Sequence, residues 1–178
     1  MFGWLIALLT FPGIILHEWA HKFSCDRTGV PVYKTCYFRF GNPAGYVIHG
    51  QVDNYGKAFL IATAPFLINT VVSIICLLIA VIIPLGIPTY ILCWLGIAVA
   101  MQSFPSNQDA DNLWSLSKES WQRNPLVLLS FPVIGLIKLA GILRAVWFDL
   151  LYAVFLLVII LLLVKGNSLF SSTPPVTF

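Results

Sequence analysis

The chain has 178 residues, of which 59% are apolar and only 10% are charged, and its net charge is +3. Soluble domains carry about 25% charged residues, so the composition excludes an ordinary soluble domain and indicates an integral membrane protein, with the lipid bilayer as its partner. There is no basic run and no basic-aromatic patch, which excludes nucleic acid as an expected partner.

The first apolar segment covers residues 2–24 and is interrupted by Pro12-Gly13, where we expect a kink in a single membrane helix. It lacks the basic start and the small-residue cleavage site of a secretory signal. We therefore expect it to stay in the protein, uncleaved, as the first of about five transmembrane helices.

Residues 31–50 have a different composition, rich in the valine, tyrosine, threonine and phenylalanine that favour strands. GNPAG in the middle of this stretch carries strong turn signals. The pattern predicts a small β-hairpin at the cytoplasmic membrane boundary. A bare sheet edge cannot face lipid, because its amides and carbonyls would lack partners. The hairpin must therefore pack on protein, line a wet cavity or accept a partner strand.

Two further apolar segments follow at residues 57–83 and 89–104, and the second ends where Ser106 or Asn107 can cap a polar helix. Residues 126–165 predict two more membrane segments, roughly 126–143 and 147–164, or one long helix with a re-entrant piece. The sequence thus predicts a single domain of the all-α polytopic membrane class. It comprises a three-helix core with the hairpin over residues 1–125, two further membrane segments over 126–165, and a polar tail over 166–178.

Positive charge predicts the orientation, because lysine and arginine accumulate on the cytoplasmic side. With the N-terminus outside, Lys138 and Arg144 alone lie at or towards the outer side. Eight cations then lie on the inner side: Lys22, Arg27, Lys34, Arg39, Lys57, Lys118, Arg123 and Lys165. We therefore expect the hairpin and the 105–125 loop on the cytoplasmic side, where Cys25 and Cys36 remain free thiols.

The motif HEWAH lies near the end of the first apolar segment and contains His17, Glu18 and His21. Residues four apart on a helix project from one face, so both imidazoles can reach one metal ion at about 2.0–2.1 Å. On a helix, H-E-x-x-H is typical of two zinc ligands plus a general base for peptide hydrolysis. A charge at the bilayer centre costs at least about 2.5–3.5 kcal/mol. This cost favours Zn²⁺ binding over three polar groups that only satisfy each other.

A catalytic zinc ion needs a third protein ligand and one open position. His49 and the carboxylates are the candidates. Asp109 and Asp111 follow the third apolar segment; two residues apart on a helix, they point in roughly opposite directions, so at most one is expected to bind metal. The other aspartates fit solvated turns or, after Arg144, an ion pair: Asp26, Asp53 and Asp149.

Three motifs lie in order within about residues 5–115: HEWAH (17–21), APFLIN (64–69) and FPSNQDA (104–110). Together they resemble the HExxH, GPxxN and LDG elements of the site-2 proteases, a family of polytopic intramembrane zinc metalloproteases. The second motif has alanine in place of glycine and one extra residue before Asn69. In the third, alanine replaces glycine after Asp109.

The resemblance implies a zinc metalloendopeptidase in which His17, His21 and Asp109 hold Zn²⁺ and Glu18 takes a proton from the attacking water. It also implies that Asn69 holds the substrate carbonyl or the oxyanion. The substrate, an unwound segment of a membrane protein, would pair with the hairpin as an added β-strand.

Other interpretations of the same residues give different functions. A non-catalytic membrane scaffold, with a structural zinc ion or none, does not need Glu18, whereas an enzyme acting on a small amide or a lipid-linked substrate does. His49 is expected to be an ordinary polar residue near the membrane boundary, with substrate contact or metal binding as alternatives. Membrane desaturases and hydroxylases are excluded, because they need many more than the 3 histidines present.

Overall fold

The computed structural model describes residues 3–122 and 125–171. It is mostly helical (75%) with a small two-stranded sheet, which confirms the helical class and the sheet predicted from the sequence. The helices are α1 (Gly3–Leu9), α2 (Phe11–Thr28), α3 (Tyr55–Ile82), α4 (Ile87–Met101), α5 (Asn107–Ser120), α6 (Phe131–Leu143) and α7 (Phe148–Ser171). The strands are β1 (Val32–Cys36) and β2 (Tyr46–His49), and 3₁₀ turns at Pro125–Ser130 and Arg144–Val146 flank α6.

Within the described residues, α3 is the one single helix that is both long and apolar enough to cross a membrane. α6 and α7 pass that test only as a pair, and they are bent by 107° relative to each other. α4 is apolar but has 15 residues, fewer than the roughly 17–25 of a typical membrane helix. The five transmembrane helices therefore stay a prediction.

The first apolar segment forms two helices instead of one kinked helix. Thr10 separates α1 from α2 and donates its hydroxyl to the Ile6 carbonyl (2.8 Å). Pro12 lies in the first turn of α2, where its missing N–H costs no hydrogen bond. Gly13 permits a close crossing of α2 over α4, because a Cβ there would clash with the Ala98 carbonyl oxygen.

The helices α3, α4 and α7 form the apolar core. Ser73 of α3 donates to the Gly96 carbonyl of α4 (2.8 Å), and Gly96 leaves room for the buried Leu77 side chain. α7 packs on both helices through one buried cluster: Leu77, Ala100, Ala153, Leu156 and Ile160. This core fixes the α3–α4 pair against which α2 is held.

The two strands form the hairpin that was predicted over residues 31–50. They pair antiparallel, with Cys36 opposite Tyr46, and the loop is closed by a hydrogen bond from Arg39 N to Ala44 O (2.7 Å). Both strands contact α2, which places the hairpin beside the histidine-bearing helix. Cys25 and Cys36 are free thiols, as predicted.

α6 packs against α5, and this contact corrects one part of the predicted topology. Lys138 of α6 forms an ion pair with Asp111 of α5 (2.8 Å), and Arg144 donates to the Phe104 carbonyl (3.3 Å). The prediction that Lys138 and Arg144 lie across the membrane from this region is therefore wrong. Hydropathy alone does not separate an apolar helix that folds back on a polar neighbour from one that crosses the bilayer.

At its C-terminal end, α7 continues to Ser171, so residues 166–171 of the predicted polar tail are helical. Residues 172–178 of that tail lie outside the described residues, as does Arg123.

Candidate metal centre

His17, His21 and Asp109 converge on one point, although 88 residues separate Asp109 from His21 in the chain. The two histidine Nε2 atoms lie 3.2 Å apart, and His21 Nε2 lies 3.5 Å from Asp109 Oδ2. Ligand atoms placed tetrahedrally about 2.0–2.1 Å from a zinc ion lie about 3.3–3.4 Å from each other. The two separations about His21 therefore match those of a tetrahedral zinc site, and all three ligand atoms lie within 4.8 Å of one another.

Hydrogen bonds to the far side of each imidazole fix the tautomers. His17 Nδ1 donates to the Gln102 carbonyl (2.7 Å), and His21 Nδ1 donates to the Ile61 carbonyl (2.9 Å). Both Nε2 atoms of the neutral rings then carry lone pairs, and these lone pairs face each other. Two facing lone pairs repel each other unless a cation or a proton lies between them. A hydrogen bond from the other ring nitrogen to a backbone carbonyl is also typical of a histidine that binds metal.

Asp109 is held by the first turn of α5. Its carboxylate accepts hydrogen bonds from Ser106 N (2.9 Å) and Ser106 Oγ (2.6 Å), and Asp109 N donates to Ser106 Oγ (3.1 Å), so the predicted Ser106 cap is confirmed. Burial alone would raise the pKa of this carboxyl group, but the hydrogen bond and the charge of His21 in its protonated form, together with the hydrogen bonds from Ser106, hold the pKa well below its usual range. Asp109 is therefore ionised, as a metal ligand must be.

The other candidates for third ligand lie elsewhere. Asp111 pairs with Lys138, and Asp149 pairs with Arg144 (2.7 Å), as its sequence position predicted. His49 lines the same cleft but directs Nδ1 to the Gly50 carbonyl (2.8 Å). The structure thus groups Asp109, and not Asp111 or His49, with the two motif histidines.

An open cleft of about 1450 Å³ leads to this cluster. One wall is the loop and strand from Asn42 to His49, which includes all of β2, and the other is built from the α4–α5 connection and the α6–α7 joint. Small-molecule pockets typically measure about 300–1,000 Å³. The cleft is therefore larger than a typical small-molecule pocket.

Glu18 lies between the histidines and the hairpin. It lines the cleft beside His17, and its side chain packs directly over Gly45, where a Cβ would come within 2.7 Å of Glu18 Cγ and 3.0 Å of Glu18 Oε1. The position of the carboxylate therefore depends on the glycine that precedes β2.

The structure places Asn69 behind His17 and not on the wall of the cleft. The side chain is fully buried, and Nδ2 donates to the Gln102 carbonyl (2.9 Å) and the Gly13 carbonyl (3.2 Å). Since Gln102 O also accepts from His17 Nδ1, Asn69 fixes the carbonyl that orients a metal ligand. This placement does not match the substrate contact that the resemblance implied for Asn69.

Replacing Asn69 with leucine is expected to weaken zinc binding by about 10- to 100-fold, the usual cost of losing an outer-shell partner. Titration of the purified protein with Zn²⁺ measures the effect. The control is Ser73→Ala, which removes a buried hydrogen bond from the same α3–α4 interface without touching the site. If Asn69 instead binds substrate, the leucine variant keeps its zinc affinity and loses only turnover.

Known proteins provide no further constraint, because no protein-family model matches the chain and no curated protein or solved structure shows significant similarity to it.

Proposed function

We propose that the protein is an intramembrane zinc metalloprotease of the site-2 protease type, which hydrolyses peptide bonds in membrane-embedded or membrane-proximal segments. The observation that supports this most directly is the convergence of two imidazole Nε2 atoms and an ionised carboxylate next to Glu18, at the head of an open cleft. A structural zinc site is normally closed by four protein ligands, whereas a catalytic site has three and an open position.

His17, His21 and Asp109 would hold the ion, and the two ligand-atom separations about His21 fit it. Bound zinc lowers the pKa of a coordinated water to about 7. Glu18 lines the cleft beside these ligands and would take a proton from the attacking water and pass it to the departing amine. Gln102 O and Ile61 O keep both imidazoles oriented throughout.

β2 supports an extended substrate. All four of its residues line the cleft, and β1 is its one strand partner in the described part of the chain, so its other edge can accept an added strand. A substrate helix would have to unwind first, because an intact helix buries its peptide bonds in its own hydrogen bonds.

We further propose a multi-pass membrane location, with the N-terminus outside and the metal centre towards the cytoplasmic side. The exposed side chains of α3 and α7 are largely apolar, as lipid-facing residues are: Leu67, Val71, Ile75, Leu78, Leu151, Phe155 and Leu162. Lys138 and Arg144, which contact the α4–α5 region, now add to the cations on the cytoplasmic side.

Zinc content and cleavage, measured on the same purified protein, test the proposal. We expect one zinc ion per chain and cleavage of some members of a mixed panel of membrane-helix peptides, abolished by a chelator and restored by Zn²⁺. Active protein without metal would contradict it. Zinc without cleavage would favour a non-catalytic scaffold. Hydrolysis confined to small amides or lipid-linked compounds would favour an enzyme that acts on such substrates and not on proteins.

Replacing Gly45 with alanine is expected to displace the Glu18 side chain and lower kcat by about 10²-fold, since shifts of about 1 Å in a reacting group have effects of this size. Zinc content should not change. Gly41→Ala is the matched control, because the nearest atom to its Cβ, in the Arg39 side chain, lies at an ordinary 3.6 Å. Equal activity of both variants would show that Glu18 does not work from this position.

A further inference from the structure

α5 and α6 form an antiparallel helix pair. Phe131 at the start of α6 packs on Trp114 (ring centroids 5.1 Å apart), and Lys138 pairs with Asp111 one turn earlier on α5. Lys138 Nζ also lies 5.1 Å from the centre of the Trp114 ring. The single charge of α6 is thus turned inward, against α5.

The outward faces of these two helices differ sharply. α6 exposes an uncharged apolar stripe at three-residue spacing, each side chain between 38% and 71% exposed: Val133, Leu136, Leu139 and Ile142. The exposed residues of α5 are polar or charged: Asn107, Gln108, Asp111, Asn112, Ser115, Lys118 and Glu119. The exposed face of α6 is therefore suited to contact with lipid, and the exposed face of α5 is suited to contact with water.

The bend between α6 and α7 sets the direction of α6. At 107° the two helices are close to perpendicular, and α7 packs along the α3–α4 core through Ala153, Leu156 and Ile160. If that core crosses the bilayer, α6 lies near the plane of the membrane. Trp147, 54% exposed, lies at the joint between the helices, and exposed tryptophan is typical of the lipid–water interface.

We propose that α6 is an interfacial helix that lies in the membrane surface, with the stripe Val133–Leu136–Leu139–Ile142 in contact with acyl chains and α5 on its aqueous side. The inference rests on the membrane location proposed above. Val146 in the turn between the helices and Leu151 on α7 are also exposed and apolar, as an interfacial surface requires. The α6–α7 joint also lines the cleft, which places this helix where a substrate would pass from bilayer to metal centre.

Nitroxide labels at the four stripe positions test the inference in the reconstituted full chain, with the four native cysteines replaced and zinc content verified. The depth of each label in the membrane is obtained by comparing its collision rate with oxygen and its collision rate with a water-soluble nickel chelate. We expect all four labels to be oxygen-accessible, with Val133 and Ile142, at opposite edges of the exposed arc, at the same depth within a few ångströms. Labels at Asn112 and Ser115 of α5 should be accessible to nickel.

A helix that spans the bilayer would instead show a depth change of about 13 Å from Val133 to Ile142, at about 1.5 Å per residue, and would overturn the inference. So would stripe labels exposed to nickel, or dipolar broadening that shows a second copy on this face. Labels at Val71 and Ile75 of α3 are the reference: if they too lie in water, the membrane location fails, and not only the placement of α6.

Discussion

Glu18→Gln is expected to abolish peptide cleavage while zinc remains bound. Glutamine has nearly the same shape as glutamate but cannot accept a proton from water at neutral pH, and general-base catalysis contributes about 10²–10⁴-fold. The residue packs over Gly45 and is not a member of the ligand cluster, so the metal site should stay intact. The measurement is kcat on a cleaved helix peptide together with zinc per chain.

Glu119→Gln is the matched control for Glu18→Gln, because Glu119 lies on the exposed face of α5. The control should leave both kcat and the zinc content per chain unchanged. The Glu18 variant should also retain a membrane-helix peptide through purification, since binding no longer leads to hydrolysis. Cleavage at the normal rate would remove Glu18 from the mechanism. Loss of zinc from this variant would give the residue a structural role and favour a non-catalytic protein.

The residues with local signals were predicted correctly. The spacing in HEWAH placed His17 and His21 on one face of a helix, and turn residues between two strand-forming stretches predicted the hairpin. Ser106 was a candidate cap because of its position before a polar helix. Each of these features depends on a few neighbouring residues, which is why sequence alone was sufficient.

Features that depend on tertiary contacts were not predicted. The carbonyls of Gln102 and Ile61 orient the two histidines, yet every residue has a carbonyl, so no side-chain pattern marks them. The ion pair between Lys138 and Asp111 likewise joins residues 27 positions apart. Without that contact, the apolar sequence of α6 fits a membrane span as well as an interfacial helix.

The choice between Asp109 and Asp111 shows the same limit. Helical geometry indicated that at most one of them binds metal, because their side chains point in different directions, but it could not say which. The direction that faces His21 is set by how α5 docks on α3, through Leu113 packed against Ala62. Packing of the whole core therefore decides the identity of the third ligand.

Asp109→Asn removes an anionic ligand directly. It is therefore expected to weaken zinc binding by more than the loss of an outer-shell partner does, which is about 10- to 100-fold. Asp111→Asn should leave zinc binding unchanged. It breaks only the pair with Lys138, in which the Asp111 side chain is 68% exposed, and such pairs contribute about 0–1 kcal/mol to stability. Zinc titration of both variants, in the same detergent and buffer, gives the comparison.

Asp109 also takes part in the cap of α5, so its substitution needs a control for helix stability. Ser106→Ala removes the capping hydroxyl, which also donates to the Asp109 carboxylate, and is expected to cost about 1 kcal/mol of stability and no more zinc affinity than the loss of an outer-shell partner, about 10- to 100-fold. If Ser106→Ala loses as much zinc affinity as Asp109→Asn, the cap and not the ligand explains the loss. If Asp111→Asn alone releases zinc, the third ligand is Asp111, and α5 must dock with its other face towards His17 and His21.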